Sequence, residues 1–264
     1  MKKVFVLVAA LLVCFVVTAQ DSRLPKKMSS SLSFNIGPSI PLSDFASTNY
    51  PDNDGAGYAI TGINLNLNYD LMFQKNVGVS ADLFFGSHKL EYEIIKDYTG
   101  EDISGVDISH YEYMGLLVGP VFSGTITPKT NINFKLLGGL GRSRSPGMHY
   151  DREIVVKEDW ATSFAWRINS DMRFSFSKNV FFMVDVSYTQ TRPEYNIVIG
   201  PNESQPESFQ KEIHVSTINL NAGVGIKFLS EAQSRKTNSR YFYRELFFYR
   251  NYLITHFTIP VASL

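Results

Sequence analysis

From Phe164 to Tyr188 the chain alternates. Phe164, Trp166, Ile168, Met172, Phe174 and Phe176 share one parity, interrupted only by Ser170, and Ala165, Arg167, Asn169, Asp171, Arg173 and Ser175 share the other. Ser177-Lys178-Asn179 makes a polar turn. Beyond it Phe182, Val184, Val186 and Tyr188 face away from Met183, Asp185, Ser187 and Thr189. Side chains on a pleated chain project to opposite sides in turn, so this alternation predicts a β-hairpin with one apolar and one polar face.

The pattern recurs. Arm one runs over 31–40, with Leu32, Phe34, Ile36 and Ile40 on one face and Pro38 expected near a strand end or a bulge, since it cannot donate to a ladder. In arm two, Ile63, Leu65, Leu67, Tyr69, Leu71 and Phe73 alternate with Asn64, Asn66, Asn68 and Asp70. Asparagine is poor strand material, and the ladder makes sense if those amides line a hydrated or hydrogen-bonded interior. Arm three covers 77–88, with Phe84 on its polar face. Arm four covers 110–126, where Leu117 and Val121 oppose Met114, Leu116, Val118 and Phe122. Arm five is 132–140, the opening hairpin supplies arms six and seven, and arm eight is 215–228.

The connections between these eight arms run long, short, long, short, long, short, long: 41–59, 74–76, 89–109, 127–130, 141–159, 177–179 and 190–213. A soluble sandwich has no reason to segregate loop lengths in this way. Outer-membrane barrels place short turns on the periplasmic side and longer loops outside, and eight antiparallel strands can close and remove the edges that lipid would not tolerate. The expected fold is an all-β, eight-stranded antiparallel up-and-down transmembrane β-barrel spanning residues 20–229.

Composition adds the address. Met1-Lys2-Lys3, the apolar run Val4 to Val17 and the small residues ending at Ala19 make a secretory signal peptide over residues 1–19. The run is shorter than the ~20 residues a helical span needs. A lipoprotein signal at Cys14 is disfavoured by the large Val13 before it. Cys14 is the single cysteine, so the mature chain has no disulfide framework. Formal net charge is zero, which gives no basic bias toward nucleic acid. Hydrophobic residues make up 44% of the chain yet are dispersed singly by alternation, which suits strands of ~9–11 residues crossing a bilayer.

The signal peptide, the eight arms and the glycine-rich last arm ending Gly225-Ile226-Lys227-Phe228 resemble the small outer-membrane β-barrel family. The resemblance is to the Bacteroidetes-type outer membrane protein beta-barrel domain, PorT-like, over about residues 30–229. It implies residence in the outer membrane and contact with its lipid and lipopolysaccharide. It also implies that assembly machinery reads a terminal aromatic, here Phe228, and the PorT-like label implies an accessory role in secretion. A 35-residue extension, 230–264, departs from that pattern. It is either a short amphipathic helix on the inner leaflet surface or an extension without a role.

Threading the arms through a bilayer puts aromatic belts at both interfaces. Tyr69, Phe73, Phe122, Phe134, Phe174, Phe176, Phe182 and Phe228 fall on the periplasmic side, and Tyr58, Phe85, Tyr113, Phe164 and Tyr188 on the outer side. The inward set holds four acids, Asp70, Asp82, Asp171 and Asp185, and four bases, Lys135, Arg167, Arg173 and Lys227. Hairpin geometry sets Asp171 opposite Asp185 with Arg173 diagonal to it. The expected lumen network is Lys135, Asp171, Arg173 and Asp185 in one ionic cluster, with Asp82, Asn66 and Asn68 beside it. Balanced charge in a narrow lumen predicts a filled interior; a narrow ion path is the alternative.

His214-Val215-Ser216 matches the His-x-Ser of lipid A deacylase barrels, but that chemistry needs an acid to orient the imidazole, and Lys227 and Phe228 stand where it would fall. No catalytic residue is assigned. The histidines show no metal-ligand spacing, and no phosphate-binding loop precedes a helix, so no metal or cofactor is expected. Arg142, Arg144 and Arg152 lie just outside the membrane, where lipopolysaccharide phosphates would meet them; a solvated loop charge is the other reading. The function expected is non-enzymatic: a structural or surface-interaction protein acting through four long outer loops, toward an extracellular ligand that the sequence does not name. The alternatives are a low-conductance channel or an accessory barrel of a secretion system.

Overall fold

A computed structural model describes residues 28–48, 56–91, 106–150, 153–200 and 206–229. The expected signal peptide, the 230–264 extension and Arg152 lie outside the described residues. In chain order the strands are β1 (Ser29–Leu42), β2 (Gly62–Met72), β3 (Val77–His88), β4 (Val106–Ile108), β5 (Tyr111–Thr127), β6 (Thr130–Arg144), β7 (Met148–Tyr150), β8 (Glu153–Lys157), β9 (Trp160–Ser175), β10 (Val180–Thr191), β11 (Glu194–Ile199), β12 (Glu207–Glu212) and β13 (Val215–Leu229). A single 3-10 turn, η1 (Ser43–Ala46), follows β1.

Eight of these strands close on themselves in the order β1-β2-β3-β5-β6-β9-β10-β13, all pairs antiparallel. They are the eight expected arms, lengthened mainly at their outer ends. The closing seam pairs β1 with β13 from Ser29↔Leu229 to Leu42↔Ser216. The long connections are not plain loops, as the sequence had suggested. Five short strands within them form a second sheet in the order β12-β11-β8-β7-β4. Turn-rich composition hid these strands, which pair as hairpins within a connection (β7 with β8, β11 with β12) and across connections (β4 with β7, β8 with β11).

The outer wall is apolar and open to the surroundings. Phe34 is 49% exposed, Leu83 53%, Leu116 55%, Phe164 65% and Val224 60%. A water-soluble protein does not present such a continuous belt, so lipid is the solvent this face requires. The inward face is the reverse: Asn35, Asn64, Lys135, Arg167 and Asn219 are fully buried. The parity breaks resolve inward as well. Phe84, Leu117, Val121, Leu137, Phe181 and Met183 are buried in the lumen. Tyr113, expected in the outer aromatic belt, is 2% exposed and faces the lumen beside His88. Its odd position on β5 is that of Leu117 and Val121, which decides its direction.

Pro38 sits in mid-strand rather than near an end. The ladder to β2 runs through it, opposite Ile63, while the ladder to β13 skips Gly37 and Pro38. Gly119-Pro120 repeats the device in β5, where the ladder to β6 skips both residues and that to β3 does not. A proline lacks the N–H that a continuous ladder would use, and the glycine before it permits close approach. A Cβ on Gly37 would lie 1.9 Å from the Leu220 carbonyl oxygen, and one on Gly119 2.0 Å from that of Leu136.

At the end opposite the short turns, a hydrophobic core packs against the barrel. Phe45 of η1, Tyr111, Tyr195 of β11, Ile213 and Val215 cluster with Tyr113 and Leu117. Phe45 meets the His88 and Tyr111 rings edge-on at 5.1 and 5.2 Å. The Tyr195 hydroxyl donates to Ser143 Oγ of β6 at 2.8 Å, fastening the second sheet to the barrel. Burial pushes that hydroxyl well above the ordinary phenol range, so it stays a neutral donor.

Gly37→Val should prevent barrel closure, because its side chain would collide with the backbone of β13 at the seam. Refolded protein should then lose heat-modifiable gel migration. Gly124→Ala, whose new methyl would meet nothing nearer than Ile132 Cγ2 at 3.3 Å, should keep it.

Candidate functional site in the barrel lumen

Each inward polar side chain is placed by strand parity, and the barrel brings residues far apart in sequence to one level. Nearest the short turns, Lys135 of β6 lies 3.1 Å from Asp70 of β2 and 3.3 Å from Asp171 of β9. Arg173 pairs with the same two acids, donating from Nε to Asp171 at 2.7 Å and from Nη2 to Asp70. Ser80 donates to Asp70 at 2.6 Å, Asn133 to Asp171 at 2.6 Å, and Arg173 to Ser31 at 3.0 Å. Two acids and two bases, all nearly excluded from solvent, thus neutralise one another and carry further hydrogen bonds. A buried pair needs both to offset its desolvation. Lys135 also donates to Asn68 Oδ1 at 3.5 Å.

A second ionic unit lies apart from the first. Arg167 of β9 donates to Asp82 of β3 at 2.5 Å, to Asn66 of β2 at 2.8 Å and to Thr189 of β10 at 2.7 Å. Its guanidinium also lies 4.6 Å over the Phe84 ring, which accounts for an aromatic side chain on that polar face. Farther out, His88 Nε2 is 3.1 Å from Ser39 Oγ and 3.3 Å from the Tyr113 hydroxyl. Ser39 donates to Asn219 at 2.6 Å.

Register puts Asp185 opposite Asp171, as the hairpin geometry implied. The structure nevertheless corrects the expected cluster of four. Lys135, Asp171 and Arg173 come together, with Asp70 as the second acid, while Asp185 has no ion pair among the described residues. Three amides replace the cations: Asn35 donates to Oδ2 at 2.7 Å, and Asn169 and Asn221 donate to Oδ1 at 3.1 Å each. Arg173 turns instead toward Asp70, across the lumen. That choice depends on a neighbour from β2, which hairpin reasoning could not supply. Asp70 and Arg167 were legible as inward charges; their role as hubs was not. His88 had the inward parity too, yet its partner Tyr113 lay on an arm of mixed signal.

The rim and the His-x-Ser stretch take different forms. Arg142 is exposed, its guanidinium 4.8 Å over the Trp160 ring. Arg144 is ion-paired at 3.0 Å with both Glu112 and Glu158. His214 Nδ1 lies 3.2 Å from Asp44 and its Nε2 2.8 Å from Glu212. Both ring nitrogens therefore face carboxylates, and neither is left to activate Ser216, which is buried. No group of three His, Cys, Asp or Glu suited to a metal occurs among the described residues.

Lys135→Met should be costly, since Asp70 and Asp171 would share Arg173 alone. Removing one partner of a buried pair typically costs about 3–5 kcal/mol. A urea-unfolding midpoint well below wild type is the expected reading, and an unchanged midpoint would show the pair to be energetically idle.

Comparison with known proteins gives a family. A family model described as "Outer membrane protein beta-barrel domain" matches residues 7–228. No curated protein matches the chain. Among solved structures, the chain is similar to Ail, the attachment invasion locus protein of Yersinia pestis, at 19% identity and a TM-score of 0.43, covering 76% of this chain and 98% of that one. It is similar to a major outer membrane protein of Thermus thermophilus at 8% identity and a TM-score of 0.49, with 76% and 99% covered. It is also similar to the outer membrane protease OmpT of Escherichia coli, at 8% identity and a TM-score of 0.41, with 81% and 100% covered.

Proposed function

The chain belongs to the outer membrane protein beta-barrel domain family and resides in the outer membrane; from that premise we propose that it is a non-enzymatic protein with a filled lumen, acting at the cell surface. The observation that carries this reading is the second sheet. It is anchored through Tyr195 on a buried apolar core at one end of the barrel, over a lumen whose charges are largely engaged with one another. A rigid scaffold presenting shaped loops is the usual way such folds meet ligands. The end bearing this sheet faces the exterior, and the short turns face the periplasm.

Arg142 is the residue best placed to meet a lipopolysaccharide phosphate, being exposed and held over Trp160. Arg144, occupied by Glu112 and Glu158, holds the rim rather than a ligand. Phe228, exposed on the lipid face near the end of β13, suits recognition by the assembly machinery. The PorT-like subtype and its secretion role rest on the resemblance alone. A narrow cation path is the second reading. It is favoured by lumenal oxygens without a hydrogen-bond partner, those of Ser33, Asn35, Asp82, Asn169 and Asn221.

Orientation is read by cysteine labelling, since Cys14 is the chain's own single cysteine and lies in the expected signal peptide. Ser208→Cys in β12 should react with an impermeant maleimide on intact cells, and Asn179→Cys in a short turn only after lysis; the opposite order would invert the proposal. In planar bilayers the refolded protein should show no large steady conductance. Open steps of porin size would replace the filled lumen with the path.

A further inference from the structure

The lipid-facing wall of β5, β6 and β9 is layered by height. Register sets Leu116, Leu140 and Phe164 side by side, then Met114, Arg142 and Thr162, then Glu112, Arg144 and Trp160. All share the outward parity of their strands. The first layer is apolar and open, with Leu116, Leu140 and Phe164 exposed at 55%, 67% and 65%. The Phe164 ring leans toward the short turns and away from Arg142. Its tip reaches Gly138, where a Cβ would lie 3.2 Å from Phe164 Cζ.

The two arginines of this wall differ in their partners. Arg144 is 3.0 Å from both Glu112 and Glu158. Arg142 has no ion pair among the described residues, and its guanidinium lies 4.8 Å over the Trp160 ring. Stacking on an aromatic face holds a guanidinium in place while leaving its N–H edge open. Arg142 therefore stands exposed between an apolar layer and a neutralised ionic one, the height at which the headgroup of a lipid begins. Its planar fork suits a phosphate. Arg142, Arg144, Glu112 and Glu158 together sum to zero charge, so no long-range field gathers free phosphate here. A headgroup carried to the wall by its own acyl chains needs no such field.

We infer that this wall binds one molecule of a phosphorylated, acylated glycolipid, the lipid A anchor of lipopolysaccharide. An acyl chain lies along Leu116, Leu140 and Phe164, and a single phosphate meets Arg142. The inference rests on the outward orientation proposed above. To the phosphate contact of Arg142 it adds the acyl seat, the stoichiometry and a selectivity. One open guanidinium serves one phosphate, so a second phosphate on the same lipid gains nothing while Glu112 and Glu158 occupy Arg144. A phosphate monoester offers that fork more charge and more free oxygens than the diester of a phospholipid.

The test titrates refolded protein in non-ionic detergent with monophosphoryl, bisphosphoryl and dephosphorylated lipid A and with phosphatidylglycerol, read by native mass spectrometry. Wild type should retain one lipid A per chain and bind the two phosphorylated forms alike. The dephosphorylated form and phosphatidylglycerol should bind about tenfold more weakly or worse, and millimolar inorganic phosphate should not compete. Arg142→Gln should erase the preference for phosphorylated lipid, and Trp160→Leu, which releases Arg142, should reduce it. Glu112→Gln combined with Glu158→Gln should free Arg144 and make the bisphosphoryl form the tighter ligand. Equal binding of phosphorylated and dephosphorylated lipid, an unaltered preference in Arg142→Gln, or displacement by free phosphate would each overturn the site. If Arg142→Gln fails to fold, the wild-type preference and the paired glutamate variant still decide it. Detergent binding is read without reference to orientation. An inverted cysteine-labelling order would therefore remove lipid A as the ligand while leaving these titrations unchanged, which separates the two failures.

Discussion

Hydrocarbon offers a backbone N–H or C=O nothing to bond to, and each group left open there costs several kcal/mol. Every other feature of this protein depends on meeting that constraint. The β1–β13 seam is where it is met, because without this pairing two strand edges would face lipid along their length. The seam is also where the chain makes its sharpest local concession. Gly37-Pro38 interrupts the ladder, and only a residue without a side chain fits against the Leu220 carbonyl. A proline in a central strand is ordinarily a contradiction; here its missing donor falls at the skipped step.

Closure at eight strands creates the second constraint. The lumen of so small a barrel is just wide enough for side chains, so what faces inward meets its counterpart across the axis. Asp70, Lys135, Asp171 and Arg173 come from three strands and form one neutral unit; Asp82 and Arg167 form another. Apolar residues finish the packing at particular heights, with Phe84 under Arg167 and Phe181 under Arg173. The asparagine ladder of β2 is thereby explained: Asn66 and Asn68 accept from Arg167 and Lys135. Asparagine is tolerated in these strands because its partners lie across the barrel.

The outer end obeys different physics. There the chain leaves the lipid, and a water-facing sheet needs its own apolar foundation. Phe45, Tyr111, Tyr195 and Ile213 provide it, packed against the His88 and Tyr113 end of the lumen. The same packing that stabilises the cap therefore positions the surface sheet. Family membership and location rest on the matching family model; the surface role is inferred from where the cap and the second sheet stand.

The number of barrel strands, their order along the chain, nearly all of their inward and outward faces and the segregation of short and long connections were legible in the residues alone. Alternation with a two-residue period is a local property, as in Phe164 to Phe176, and every residue reports it independently. The pairing of Asp171 with Asp185 across the hairpin was legible for the same reason, since a short turn sets register. What lies across the lumen was not. The choice of Asp70 by Arg173, the amide cage on Asp185, the meeting of Tyr113 with Ser39 and His88, and the β4–β7 and β8–β11 pairings of the second sheet all join residues from strands or connections distant in sequence. Closure alone brings them together. Sequence determines which face each side chain takes because parity is covalent geometry; only the closed barrel decides which side chains share a level, because that depends on where the ring of strands meets itself.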